Sequence, residues 1–185
     1  MTTIDLSTIT LGKGSHKAGA KDPCLLELCS YIAGDEWSDH PPCVSSVLGA
    51  YGRNLNDVLP DDLRQALLPM AERLLNTAGD GQDERRSYMA LDWLVRVYTP
   101  TWMRLVPALC EQAALLEAAH EVVDLNTAAE IGTIVREAAA QSAAAGAAAR
   151  DAARAAARDA LAPTVLTLQQ SAIALMDRLI DPSAS

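Results

Sequence analysis

The stretch 138–162 constrains the fold of this chain more than any other, because sixteen of its 25 residues are alanine. Alanine has the highest helix propensity, since its side chain loses no rotamer freedom in a helix and buries no polar group. The tract therefore predicts a long helix that begins at Asn126 or Thr127 and extends to about Leu161. We expect Pro163 to interrupt it and a last amphipathic helix to follow.

The composition of the whole chain is also that of a helical protein. Half of its 185 residues are hydrophobic, yet only 4% are aromatic and none is Phe. Too few β-branched and aromatic residues remain for a sandwich or a barrel. The sequence predicts an all-α fold, an antiparallel bundle of six to seven helices with one long Ala-rich helix.

The fourth helix should end before Pro100, and at least two of Trp37, Trp93 and Trp102 are expected to anchor the core.

Charge separates the first 21 residues from the rest. All three lysines, Lys13, Lys17 and Lys21, lie there, although the chain has 24 acidic against 15 basic residues and a formal net charge of −9. This segment is rich in Gly and Lys without an apolar period, so it predicts a flexible basic arm over 1–21. A single helical domain is expected over 22–181, with a frayed tail at 182–185.

The acidic character of the chain also limits its partners. Nucleic acid and anionic membranes are disfavoured, because both repel a negative surface. No apolar run is long enough to span a bilayer, and the N-terminus lacks a signal pattern. We therefore expect a cytoplasmic protein whose partner is another protein or a second copy of the chain.

A short region after the basic arm concentrates residues that bind metals or carry out thiol chemistry. The spacing of Cys24, His40 and Cys43 would allow two thiolates and one imidazole to bind zinc. Glu27 or Asp39 would then be the fourth ligand. Zinc is the one cofactor that this pattern indicates.

Two other interpretations of this region stay open. Cysteines in helices are often buried small hydrophobic residues, and His40 would then cap the second helix or bond to a backbone carbonyl. Alternatively, Cys24 and Cys43 form a redox pair. Cys29 lies about 140° around the first helix from Cys24, so these two thiols cannot easily face one point. We expect no catalytic residues, because no Cys–His pair has an evident orienting group.

Three arginines stand out in the Ala-rich tract. Arg150, Arg154 and Arg158 are four residues apart and therefore share one helix face. Such a ladder can bind a carboxylate or phosphate group of a partner. The three arginines can equally form a solvated stripe whose positive charge is compensated by acidic residues of a neighbouring helix. The alanine face of the same helix is a candidate surface for self-association.

Several segments resemble an uncharacterised bacterial and phage protein family. The family has a C-x2-E…YxAGE-x-WSDHP-x-C block, an LNDxLPDDxR block and an Ala/Arg/Asp-rich C-terminal helix. The corresponding segments here are CLLELCSYIAGDEWSDHPPC (24–43), LNDVLPDDLRQ (55–65) and RDALAPTVLTLQQSA (158–172). The resemblance implies an all-helical protein and carries over no activity. The Ala-rich helices are also distantly similar to those of immunity-type proteins.

Three functions follow as hypotheses. The first is a non-catalytic acidic interaction protein, an inhibitor or immunity-type protein of bacterial or phage origin. The second is a metal- or thiol-dependent enzyme centred on Cys24, His40 and Cys43. The third is a structural assembly protein that oligomerises through the Ala-rich helix. Whether Cys24, His40 and Cys43 converge in space separates the first two.

Overall fold

The structure is a computed structural model that describes the backbone of residues 8–184, with side chains described for 8–140 and 161–183. In this part of the chain there are seven α-helices and no strand, so the all-α prediction is confirmed. No helix in the described part is both long and apolar enough to cross a membrane. The helices are α1 (Leu25–Ala33), α2 (Ser46–Val58), α3 (Asp61–Arg64), α4 (Asp83–Trp93), α5 (Thr99–Met103), α6 (Cys110–Ala118) and α7 (Leu125–Ile180).

The chain divides into two compact units. The first unit combines the described residues up to Arg86 with those from Gln170 onward, and the second unit is Ser87–Gln169. The sequence predicts a single domain over 22–181, because the loops between the predicted helices are short. The boundaries between the units lie inside α4 and α7, where composition gives no signal.

Helix α1 lies at the centre of the first unit. Its residues Leu25, Leu26 and Cys29 are completely buried. A Cβ at Gly52 of α2 would lie 3.1 Å from Cδ2 of Leu26 and 3.3 Å from Cε of Met176. The missing side chain at this position therefore lets α2 approach both α1 and the end of α7 closely.

A completely buried arginine connects the start of α4 to the end of α7. Nε of Arg86 donates to the carbonyl oxygen of Leu179 over 2.8 Å. The same guanidinium is 2.6 Å from Asp80 and 3.1 Å from Asp83. Carbonyl groups in the last turn of a helix have no partner within it. Arg86 satisfies two of them, those of Leu179 and Ile180, while two carboxylates compensate its charge.

Part of the expected basic arm is attached to the first unit. Leu11 is 2% exposed, and its N–H donates to Oε1 of Gln65 over 2.8 Å. Gly12 donates to the carbonyl oxygen of Pro23 over 3.0 Å and accepts a bond from Nδ2 of Asn56 over 2.9 Å. The prediction of a flexible, solvated arm is wrong for these residues. Leu11 is the one buried hydrophobic residue among the described residues of the segment, and the Gly- and Lys-rich composition around it gives no indication of its burial.

The chain stays helical around Pro100, where the fourth helix was expected to end. Helix α4 continues into a π turn, Leu94–Tyr98, in which the N–H of Thr99 bonds to the carbonyl oxygen of Leu94. Pro100 then occupies the first turn of α5. Proline has no N–H and clashes with a carbonyl group inside a helix, but the first turn tolerates it. Pro100 therefore changes the helix type and does not end the helical segment.

The end of the chain differs from the prediction in two places. Helix α7 runs through Pro163 without a break, although proline in a helix interior costs about 3 kcal/mol. The high helix propensity of the preceding alanines and the burial of Leu168 and Leu175 after the proline offset this cost. Pro182–Ala184 form a 3₁₀ turn, and Pro182 is buried where a frayed tail was expected.

Aliphatic residues and not tryptophans form the core of the second unit. Trp37, Trp93 and Trp102 are all half-buried, so the prediction that two of them anchor the core is wrong. Small and branched side chains from several helices fill that space instead. The buried cluster consists of Val95, Met103, Leu109, Ala113, Leu116, Val122, Ile131 and Ala138.

Candidate functional site

Cys24 is the N-cap residue of α1. Its Sγ accepts a hydrogen bond from the N–H of Glu27 over 3.4 Å, and the Glu27 carboxylate accepts one from the N–H of Cys24 over 2.8 Å. This reciprocal pair is a capping box in which Cys replaces the usual Ser or Thr. Burial raises the pKa of the Cys24 thiol to about 12. The thiolate that a nucleophile or a metal ligand requires is therefore disfavoured.

The carboxylate of Glu27 is 1% exposed and is bound by His16. Oε1 accepts the backbone N–H of His16 over 2.5 Å, and Oε2 lies 3.0 Å from Nδ1 of the imidazole. Desolvation raises the pKa of Glu27, but hydrogen bonds from His16 and Cys24 outweigh it and leave that pKa below its ordinary value. Glu27 is thus an ionised carboxylate that attaches the N-terminal segment to α1. No motif connects His16 to Glu27 in the sequence, so their contact is not predicted from it.

His40, Asp39 and Cys43 lie in the loop between α1 and α2. His40 is exposed, and its Nε2 is 3.7 Å from Oδ1 of Asp39. Cys43 is half-buried; burial raises the pKa of its thiol, and the carboxylate of Asp35 raises it further. Neither thiol of the predicted set is in an environment that stabilises a thiolate.

The predicted ligands do not form a metal-binding group in the described part of the chain. No set of three or more His, Cys, Asp or Glu side chains described there could hold a metal ion. Cys24, His40 and Cys43 are therefore not brought together as three ligands, and zinc stays a prediction from their spacing. All four cysteines, which lie within the described residues, are free thiols, including both members of the suggested redox pair.

The arginine ladder cannot be placed at the level of side chains. The backbone of Arg150, Arg154 and Arg158 belongs to α7, but their side chains lie outside the described residues. A role for these arginines in an interaction, and self-association through the alanine face around them, both stay predictions.

The second unit exposes a row of large apolar side chains along α4 and the π turn. Leu91, Leu94 and Tyr98 are 36%, 46% and 37% exposed. They are three and four residues apart, so they share one face of the helical segment. We call these three residues the apolar strip. Large apolar residues grouped on one exposed face are typical of a protein-interaction surface.

Two tryptophans hold the ring of Tyr98. Its centroid lies 5.4 Å from that of Trp93 and 6.3 Å from that of Trp102, distances at which aromatic pairs attract. Residues five apart in a regular α-helix are about 140° apart around the axis. The wider π turn brings Trp93 and Tyr98 onto the same side. Such turns are frequent at functional sites.

The arginines close to the strip in sequence are paired with carboxylates. Nε of Arg96 lies 2.7 Å from Oδ1 of Asp92. Nε of Arg104 donates to Oε1 of Glu117 over 2.9 Å, and this guanidinium holds the pKa of Glu117 below its ordinary value. The positive charges of this region are therefore balanced within the chain.

A cleft of about 440 Å³ opens between the N-terminal segment and α1. We call it the N-terminal cleft. Residues that are distant in sequence form it, so no sequence pattern predicts it. Its lining consists of Thr8, Ile9, Gly19, Ala20, Lys21, Pro23, Leu28, Tyr31 and Trp37.

Comparison of the chain with protein-family models, with curated proteins and with solved structures finds no match. The resemblance to a bacterial and phage family stays a prediction.

Proposed function

We propose that this chain is a non-catalytic interaction protein that binds a partner protein through the apolar strip. The observation that carries the proposal is the exposure of Leu91, Leu94 and Tyr98 on one face of a helical segment. Burial of such side chains against a partner removes apolar surface from water and stabilises the complex.

Tyr98 is suited to be the central contact of this surface. Its ring is already positioned by Trp93 and Trp102, so binding would restrict few additional rotamers. Tyrosine is also among the residues that most often contribute a large share of the binding energy in protein interfaces.

The charge of the chain indicates what the partner surface is like. The formal net charge is −9, and the arginines beside the strip are paired with carboxylates. A complementary partner would have an apolar centre surrounded by basic residues, because opposite potentials favour association and like charges oppose it. An acidic inhibitor or immunity-type protein that covers a basic enzyme fits this description.

The environment of Cys24 favours an interaction protein over a thiol-dependent enzyme. An enzyme of that kind needs a thiolate of lowered pKa that substrate can reach. Cys24 is 4% exposed, caps α1 and has a raised pKa. These properties support a structural role for the residue.

Capture of the partner from bacterial lysate by tagged variants tests the proposal. The double variant Leu94→Ser and Tyr98→Ser removes most of the strip, whereas Leu166→Ser removes a leucine of nearly equal exposure, 45% against 46%, from α7. We expect a stoichiometric protein partner with the unaltered chain and with Leu166→Ser. The double variant should lose it, because each exposed hot-spot side chain contributes about 2 kcal/mol.

Three results would contradict the proposal. One is a partner that the double variant retains, and another is the absence of any stoichiometric partner. The third is a light-scattering measurement that shows a dimer which the double variant dissociates. In that case the strip would bind a second copy of the chain and not a different protein.

A further inference from the structure

We infer that the N-terminal cleft binds a small planar aromatic anion of the aryl carboxylate class. Its volume of about 440 Å³ lies within the range of small-molecule sites, roughly 300–1,000 Å³. Every described residue that lines the cleft belongs to the first unit, whereas the apolar strip belongs to the second. The inference is therefore independent of the proposed partner protein.

An aromatic pair in the lining is the expected contact for the ring of the ligand. The rings of Tyr31 and Trp37 are edge-to-face, with centroids 6.4 Å apart and an interplanar angle of 65°. The indole N–H of Trp37 donates to the carbonyl oxygen of His16 over 2.9 Å, which fixes that ring. Tyr31 is 44% exposed, so ring surface is available to a third aromatic group.

The remaining side chains of the lining favour a flat apolar group over a sugar or a free phosphate. Ile9 contributes apolar surface to the lining, whereas Pro23 and Leu28 are almost completely buried and contribute little of it. Small-molecule sites are typically apolar with a few polar or charged groups that orient the ligand.

Lys21 supplies the charge that makes an anion the preferred ligand. It is the one charged residue in the described lining of the cleft, and no carboxylate is part of that lining. All three lysines of the chain lie in the N-terminal segment, although the chain as a whole is strongly acidic. A carboxylate near the Lys21 ammonium would gain a charge-assisted contact that a neutral ligand lacks.

The cleft is formed before any ligand arrives. The bond between Gly12 and Pro23 and the contact of His16 with the buried Glu27 hold the N-terminal segment against α1. A preformed site avoids the entropic cost of ordering a loop during binding.

Titration with 2-naphthoate tests this site, with neutral 2-naphthamide as the matched probe. Binding is followed by the NMR shift of the Trp37 indole N–H and by calorimetry. We expect saturable binding of 2-naphthoate that is about threefold tighter than that of 2-naphthamide. Lys21→Gln should abolish this preference, and Lys13→Gln should preserve it, since Lys13 carries the same charge on the same segment but does not line the cleft.

Tyr31→Ala should weaken both probes about tenfold, because one face of the aromatic contact is lost. The residue is half-exposed, so thermal unfolding should be unchanged and any loss can be assigned to binding. Leu94→Ser serves as a control for adsorption to the apolar strip and should leave both affinities unchanged. The absence of an indole shift, an undiminished affinity of Tyr31→Ala, or an equal effect of Lys13→Gln and Lys21→Gln would overturn the inference.

Discussion

At the scale of single residues, buried charges with complete sets of partners hold the first unit together. Glu27 and Arg86 are each at most 1% exposed, and each bonds to residues distant in sequence. Glu27 binds His16 and the N-cap of α1, whereas Arg86 binds the end of α7. Removal of one member of such a set leaves a buried charge or polar group without its partner, which costs more than an exposed pair would gain.

Replacement of Glu27 tests this account through its dependence on pH. The pKa of Glu27 is lowered in the folded protein, so its stabilising effect is complete above about pH 4.5 and disappears as the pH falls through the lower, folded value. Glu27→Gln should reduce the free energy of unfolding by about 2 kcal/mol at pH 7. The difference from the unaltered chain should shrink in more acidic solution. Urea unfolding at a series of pH values measures both quantities.

The exposed neighbour Glu36 provides the control for that experiment. Glu36→Gln makes the same chemical change on the surface and should alter stability by less than about 0.5 kcal/mol at every pH. An unchanged stability of Glu27→Gln at pH 7 would show that the buried carboxylate does not hold the N-terminal segment.

At the scale of helices, the sequence predicts where most helices lie, but it does not predict where tertiary contacts keep the chain helical at a proline. Alanine propensity and the breaks at glycine and proline locate most helices, because these effects are local. Pro100 and Pro163 were both expected to end helices, yet the chain stays helical at each. A π turn accommodates the first, and packing after the second outweighs the lost hydrogen bond. Neither the π turn nor the packing after Pro163 can be predicted from the residues next to each proline.

Replacement of two glycines of α2 by alanine distinguishes the effect of close packing on stability from the effect of helix propensity. Gly52→Ala places a Cβ 3.1 Å from the Leu26 side chain and 3.3 Å from Met176, so we expect a destabilisation of about 1–3 kcal/mol. Gly49→Ala places its Cβ against only Nη1 of Arg53, at 3.4 Å, and should stabilise α2 by about 0.5–1 kcal/mol. Chemical denaturation of both variants measures the difference. Equal effects would contradict the close approach of α2 to α1.

At the scale of the whole molecule, its two candidate surfaces lie on different units and were not among the predicted sites. The predicted site consists of Cys24, His40 and Cys43, because their residue types suit a metal ion. The structure uses Cys24 as a buried helix cap instead. The N-terminal cleft joins segments that are distant in sequence, and the apolar strip is recognisable only once exposure is known. The spacing of residues in the sequence shows neither which distant segments meet in space nor which side chains are exposed.

Footprinting of the purified complex tests whether a partner protein binds through the apolar strip. Hydroxyl-radical labelling reports the solvent exposure of Tyr98 and Leu94 with and without partner. Tyr31, which is 44% exposed in the other unit, is the internal reference. We expect the partner to protect Tyr98 and Leu94 from labelling while the labelling of Tyr31 is unchanged. Equal labelling of Tyr98 in the free and bound chain would contradict it.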